Sequence, residues 1–154
     1  MTSLTFSDLM AVIPQDPLPL HPANKAAIFD ALEAAGIAYV DMPFNGSGDE
    51  GFVHEPTAYV NTGTAESPQY TSTALPSVVV GWHGKSIKGQ EEITDLSLAD
   101  ALNAATWDCS YATSCGWENN DGAEGTVTFD CDTRTIEVDM AEFYTESNHR
   151  LKTF

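Results

Sequence analysis

The chain has 154 residues, 42% of them apolar, with three Trp, seven Phe and five Tyr. That is enough to bury one core of ordinary domain size, and it excludes a wholly disordered chain despite the charge. The net charge of −17, from 23 acidic and six basic side chains, speaks against direct binding to nucleic acid or to anionic membranes, because Lys25, Lys85, Lys88, Arg134, Arg150 and Lys152 form no basic patch in the sequence.

No stretch approaches the roughly 20 apolar residues of a membrane helix, and the opening MTSLTFSDLMAVIPQD lacks the basic start of a secretory signal, so a cytosolic protein is expected. Cys109, Cys115 and Cys131 contain no C-x-x-C pair and are expected as reduced thiols. The charge is uneven: residues 91 to 154 hold net −11 of the −17.

In chain order, Thr5 to Ile13 offers a hydroxyl cap and an apolar face, which predicts a short helix ended by Pro14. Pro14, Pro17, Pro19 and Pro22 then force an extended arm, so residues 1 to 22 form one unit and residues 23 to 154 a single acidic α+β domain. From Pro22, the run Ala23 to Ala35 has helical period with Ile28, Leu32 and Ala35 on one face and Phe29 beside them, and Gly36 supplies a left-handed cap on which Ile37 packs. Ile37 to Phe44 reads as a strand, Asn45 to Gly51 as a turn, and Phe52 to Val60 as the strand that completes a hairpin. Residues 61 to 76 read as a long polar loop, and Ser77 to Trp82 as a further strand.

Ser97-x-x-Asp100 resembles a capping box and predicts a helix to about Thr113, closed by Gly116, with Leu98, Ala101, Leu102 and Ala105 buried. Gly125 to Asp130 and Thr133 to Met140, joined by Cys131-Asp132, alternate as a hairpin with Val127, Phe129, Ile136, Val138 and Met140 inward. The fold expected is an antiparallel sheet of about five strands with two main helices on one face, plus the short N-terminal helix.

Candidate chemistry is sparse. The turn Asn45 to Gly51 has glycines but no phosphate-loop Lys, and Asp49-Glu50 lacks alternating calcium ligands, so a tight hairpin turn is expected. The block Gly116 to Gly125 fails the EF-hand pattern and reads as an ordered connection with Trp117 packed as a lid. His21, His54, His83 and His149 lie far apart in sequence and form no metal motif, and no nucleophile elbow is present. No catalytic residue, metal or cofactor is assigned, and the protein is read as not an enzyme.

What remains is the acidic surface. Glu137 and Asp139 share the outward parity of the last strand, about 6.6 Å apart, and Asp100, Ala104 and Asp108 follow one another at helical spacing. With Glu118, Asp121 and Glu124 they form the candidate partner-binding set. Rows of carboxylates can imitate a phosphate backbone and compete for a basic groove, with fast, salt-sensitive association. Such surfaces also serve solubility alone.

The helix Asn24 to Leu32, the turn Phe44 to Gly51 and the block Gly116 to Asp130 resemble a family of small acidic proteins of unknown function encoded on bacterial plasmids, integrative elements and phages. The likeness covers about residues 23 to 60 and 95 to 154, with Asp49-Glu50-Gly51 standing where an Asp-Ser-Gly turn is expected. The family hands over no activity and no site residue. It implies a mobile-element setting, in which small acidic proteins resemble inhibitors of host defence, such as antirestriction and anti-CRISPR proteins. The function expected is a non-enzymatic protein that occludes a nucleic-acid site on a basic host nuclease complex. Two alternatives stay open: a divalent-ion or small-ligand module on the two glycine and acid-rich turns, and an accessory protein whose acidity serves solubility. The proline-rich arm also leaves a homodimer open.

Overall fold

The computed structural model describes residues 20–154, so the N-terminal helix expected at Thr5 to Ile13 and most of the proline-rich arm lie outside the described residues. The element order is α1 (Pro22–Ala34), β1 (Tyr39–Ser47), β2 (Glu50–Val53), β3 (Thr57–Asn61), β4 (Tyr70–Thr73), β5 (Val79–Lys85), β6 (Glu91–Ser97), α2 (Leu98–Thr113), β7 (Ala123–Asp130) and β8 (Thr135–Glu142). The class is α+β, with a six-stranded antiparallel sheet ordered β4-β3-β1-β7-β8, β2 pairing along β1, and a separate β5–β6 hairpin.

Helix α1 ends as its sequence dictates. Gly36 takes φ +71, its N–H reaches the Glu33 carbonyl at 3.0 Å, and the Ile37 N–H reaches Leu32 at 3.0 Å, which satisfies the last carbonyls. Ile37 is itself buried, whereas Ala35, expected on the same face as Ile28 and Leu32, is the C-cap and is exposed, because the helix ends at Ala34. At α2, the Ser97 hydroxyl accepts from the Asp100 N–H at 3.1 Å, the cap that the Ser-x-x-Asp spacing predicts.

The strand expected at Phe52 to Val60 is two strands. β2 pairs with the far half of β1 (Phe44↔Val53 to Ser47↔Glu50), and β3 with its near half (Tyr39↔Tyr59 to Asp41↔Thr57). Pro56 lies at the break between them. Pro43 sits opposite this break, and its carbonyl accepts from His54 N–H at 2.8 Å. In an extended strand N–H and C=O of one residue point to the same side, so the donor that proline lacks would have aimed at the gap, and the β1–β7 ladder loses nothing. The polar loop expected at 61 to 76 contains β4, which zips onto β3 from Ala58↔Thr73 to Asn61↔Tyr70. β6, unassigned in the sequence, pairs along all of β5. The last hairpin turns through the four residues Cys131 to Arg134, with Arg134 at φ +52, rather than through Cys131-Asp132.

One hydrophobic cluster holds buried residues of both helices and of alternate sheet positions. Ile28, Phe29 and Leu32 of α1, and Leu98, Ala101, Leu102 and Ala105 of α2, join Val40, Met42, Phe44, Val127 and Phe129. The rings of Phe29 and Phe129 meet at 6.3 Å. Alternation then dictates the opposite face: Tyr39, Asp41, Pro43, Asn45, Thr126, Thr128, Asp130, Glu137 and Asp139 point away from this core, and none of them is buried.

Candidate partner-binding face

The pairing register lays the outward side chains in rows. One row runs Ser72, Tyr59, Tyr39, Asp130, Thr135, the next Thr57, Asp41, Thr128, Glu137, and the next Pro43, Thr126, Asp139. A further row holds Phe52, Asn45, Glu124 and Ala141. Neighbours within a row stand about 4.8 Å apart and neighbouring rows about 6.6 Å. Asp41, Glu124, Asp130, Glu137 and Asp139 therefore share one surface, and β1, β2, β3, β4, β7 and β8 contain no Lys or Arg to offset them. Among the described residues no ion pair touches these five carboxylates.

Local bonds fix the face. The Thr128 hydroxyl donates to Asp41 at 2.8 Å across β1 and β7, and His54 Nε2 donates to the Asn45 side-chain oxygen. Glu124, Asp139, Thr126 and His54 line a shallow depression of about 490 Å³ floored by Pro43 and Phe44. At the β3 side Tyr39 stacks on Tyr59 at 4.5 Å and meets Tyr70 edge-on at 5.0 Å. Desolvation, with the Asp41 charge beside it, holds the Tyr39 phenol above the ordinary tyrosine value.

The seven carboxylates singled out in the sequence do not form one surface. Glu124, Glu137 and Asp139 come together on the outward sheet face, whereas Asp100 and Asp108 lie on α2, whose buried residues pack from the core side of the sheet. Asp108 keeps more than a third of its surface in water, yet desolvation still pushes its carboxyl above the ordinary aspartate value. It lines a second depression with His21, Asn24, His83 and Glu91. Asp121 accepts from the Thr145 hydroxyl at 2.6 Å and tethers the segment after β8.

Glu118 serves the lid. Trp117 is 3% exposed, stacks on Trp107 at 5.3 Å, tilts onto Phe44 at 4.9 Å and donates its indole N–H to Ser110 at 3.0 Å. The Tyr111 hydroxyl donates to Glu118, and this bond is the main reason the phenol is pushed up to about 12. Gly46 and Gly51 face each other in the β1–β2 register beneath the indole, where an added Cβ on Gly51 would stand 3.0 Å from the Trp117 ring. The glycines at 46 and 51 thus seat the tryptophan, while Gly48, at φ +67, makes the two-residue turn. Asp49 and Glu50 are exposed at that tip.

Burial pushes the thiols of Cys109 and Cys131 up to about 11, so both are protonated at neutral pH and poor nucleophiles. Among the described residues no helix is long and apolar enough to cross a membrane. The histidines are not all dispersed: His21 and His83 stack with ring centroids 4.9 Å apart. Asp41, Asp130 and the three tyrosines were missed in the sequence. Their shared parity with Glu137 becomes visible only once the register of β1 against β7 is known.

An antiparallel sheet with one buried and one carboxylate-lined face defines a class of small acidic α+β proteins. The chain belongs to the family of unknown function DUF6878, whose model matches residues 20–154. Neither the curated proteins nor the solved structures contain a match to it.

Proposed function

We propose that this protein is a non-enzymatic binding protein that presents the outward face of its sheet to a basic, nucleic-acid-binding partner, the host nuclease complex of a defence system, and occludes the groove where nucleic acid would lie. In this reading the two helices back the sheet from one side, and the protein works in the cytoplasm of a bacterium that carries it on a mobile element.

The observation that carries the reading is the run of five carboxylates, Asp41, Glu124, Asp130, Glu137 and Asp139, on a face whose six strands hold no cation. Like charges gathered on one face repel one another, so a fold that keeps them together favours a surface met by opposite charge. The tyrosines Tyr39, Tyr59 and Tyr70 at its margin suit the same partner, because arginine guanidinium groups stack on aromatic rings as well as pairing with carboxylates. Asp100 and Asp108 drop out of the contact set, and Asp41 and Asp130 enter it.

The test is retention of a nuclease complex from lysate of a restriction- and CRISPR-bearing host. A complex released by salt or displaced by DNA is expected on the wild-type bait and not on Glu137→Lys with Asp139→Lys. Equal retention by the folded double variant would sink the proposal.

A further inference from the structure

We propose that His21, His83 and Glu91 form a binding site for one divalent transition metal of the zinc class, in the depression between the start of α1 and the β5–β6 hairpin. One ligand atom from each lies within 4.8 Å of the other two, and His21 Nε2 stands 3.6 Å from a Glu91 carboxylate oxygen. Two imidazoles and a carboxylate are the donor set that leaves zinc one open position for water.

The position of His83 is held from α1. Asn24 is 2% exposed, and its buried carboxamide accepts from the His83 N–H at 2.7 Å and donates to the His83 carbonyl at 2.9 Å. A buried polar side chain spent on both backbone groups of one histidine fixes where that imidazole sits, as supporting shells of metal sites do. Without metal His21 is the N-cap of α1, its Nδ1 accepting from the Ala23 N–H at 3.0 Å, a bond that ligation through Nε2 gives up. Glu91 is 74% exposed and free to swing the last distance.

Closure has a definite chemistry. Zinc ligands at about 2.1 Å from the metal stand roughly 3.4 Å apart, so His21 Nε2 and Glu91, at 3.6 Å, are nearly placed and the wider separations, up to 4.8 Å, have to close. Stacked rings cannot both aim their in-plane lone pairs at one point, so the His21 ring has to turn. A neutral imidazole that gives the Nε2 lone pair to a metal carries its proton on Nδ1, which no longer accepts from Ala23. Metal binding therefore releases the Ala23 N–H to water and is read out at the first turn of α1. Lys85, opposite Glu91 in the hairpin and lining the same depression, adds positive charge that opposes a bound cation, while Asp108 adds negative charge.

Chelator-treated full-length protein is titrated with ZnCl₂ by calorimetry, with millimolar Mg²⁺ present to occupy the exposed carboxylates, and the Ala23 amide is followed by NMR. A 1:1 event is expected that moves the Ala23 amide, weakens about tenfold or more in Glu91→Gln and in His83→Gln, and tightens several-fold in Lys85→Met. Unaltered zinc affinity in Glu91→Gln, an exposed change that leaves folding intact, overturns the site, as does zinc binding with the Ala23 amide unmoved. Should His83→Gln not fold, the Glu91 and Lys85 variants decide. The partner-binding face shares none of these residues, so either proposal can fail while the other stands.

Discussion

On β7, Val127 and Phe129 are fully buried, while Glu124, Thr126 and Thr128, at the alternate positions, point the other way and remain in contact with water. The same strand thus serves two surfaces under opposite constraints. On the inner face space is the limit: aromatic rings interlock, and glycines are required where an indole or a carbonyl comes close. On the outer face charge is the limit: five carboxylates stand on a sheet whose strands hold no Lys or Arg, with cross-strand hydroxyls such as Thr128 as their local support. Inner-face changes should therefore cost stability and spare recognition by charge, and outer-face changes should do the reverse.

The comparison is broken most severely at the lid. Trp117→Ala removes an indole packed against Phe44, Trp107 and Tyr111, and a loss of about 3–5 kcal/mol in unfolding free energy is expected by urea denaturation. Gly122→Ala comes next. Gly122 has φ +82, and an added Cβ would run into the Gly46 carbonyl of β1, so a cost of about 1–3 kcal/mol is expected in thermal melts. Glu137→Lys with Asp139→Lys should stay within about 0.5 kcal/mol of the parent by the same melts, because both side chains are exposed, and should lose the partner.

The smallest effect belongs to the clamp between the two layers. Arg134 at the β7–β8 turn donates to both Glu33 oxygens and, at 2.5 Å, to Asp30 of α1, chiefly through the Glu33 bond holding that carboxyl below the ordinary glutamate value. A carboxyl lowered on folding stabilises above its unfolded pKa, and that contribution fades as pH falls through the lowered folded value. Arg134→Gln should flatten this part of the acid limb in urea midpoints between pH 3 and 7, with the difference shrinking in salt because the groups are exposed.

What was legible followed from periodicity. α1 with its Gly36 cap, α2 with its Ser97 cap, and the inward parity of Val127, Phe129, Ile136 and Val138 all carry a buried side, and burial writes a pattern into sequence. β4, Tyr70–Thr73, is exposed at every position, and β6, Glu91–Ser97, at all but Leu96, so neither carries an alternation to read. Both exist because a neighbouring strand supplies hydrogen bonds. The acidic site was half legible for the same reason. Parity placed Glu137 beside Asp139, but only register could set Asp41 beside them or remove Asp100 and Asp108, and only tertiary packing could stack His21 on His83.

The central claim is that location, not total charge, makes the outer sheet face the partner site. It is tested most directly by comparing two neutralised pairs, Glu137→Gln with Asp139→Asn and Asp100→Asn with Asp108→Asn, for retention of the nucleic-acid-binding complex at low and moderate salt. Both pairs change the net charge equally. Loss of the complex in the sheet pair with retention in the helix pair is the predicted result; equal retention in both, or loss confined to the helix pair, would contradict the account.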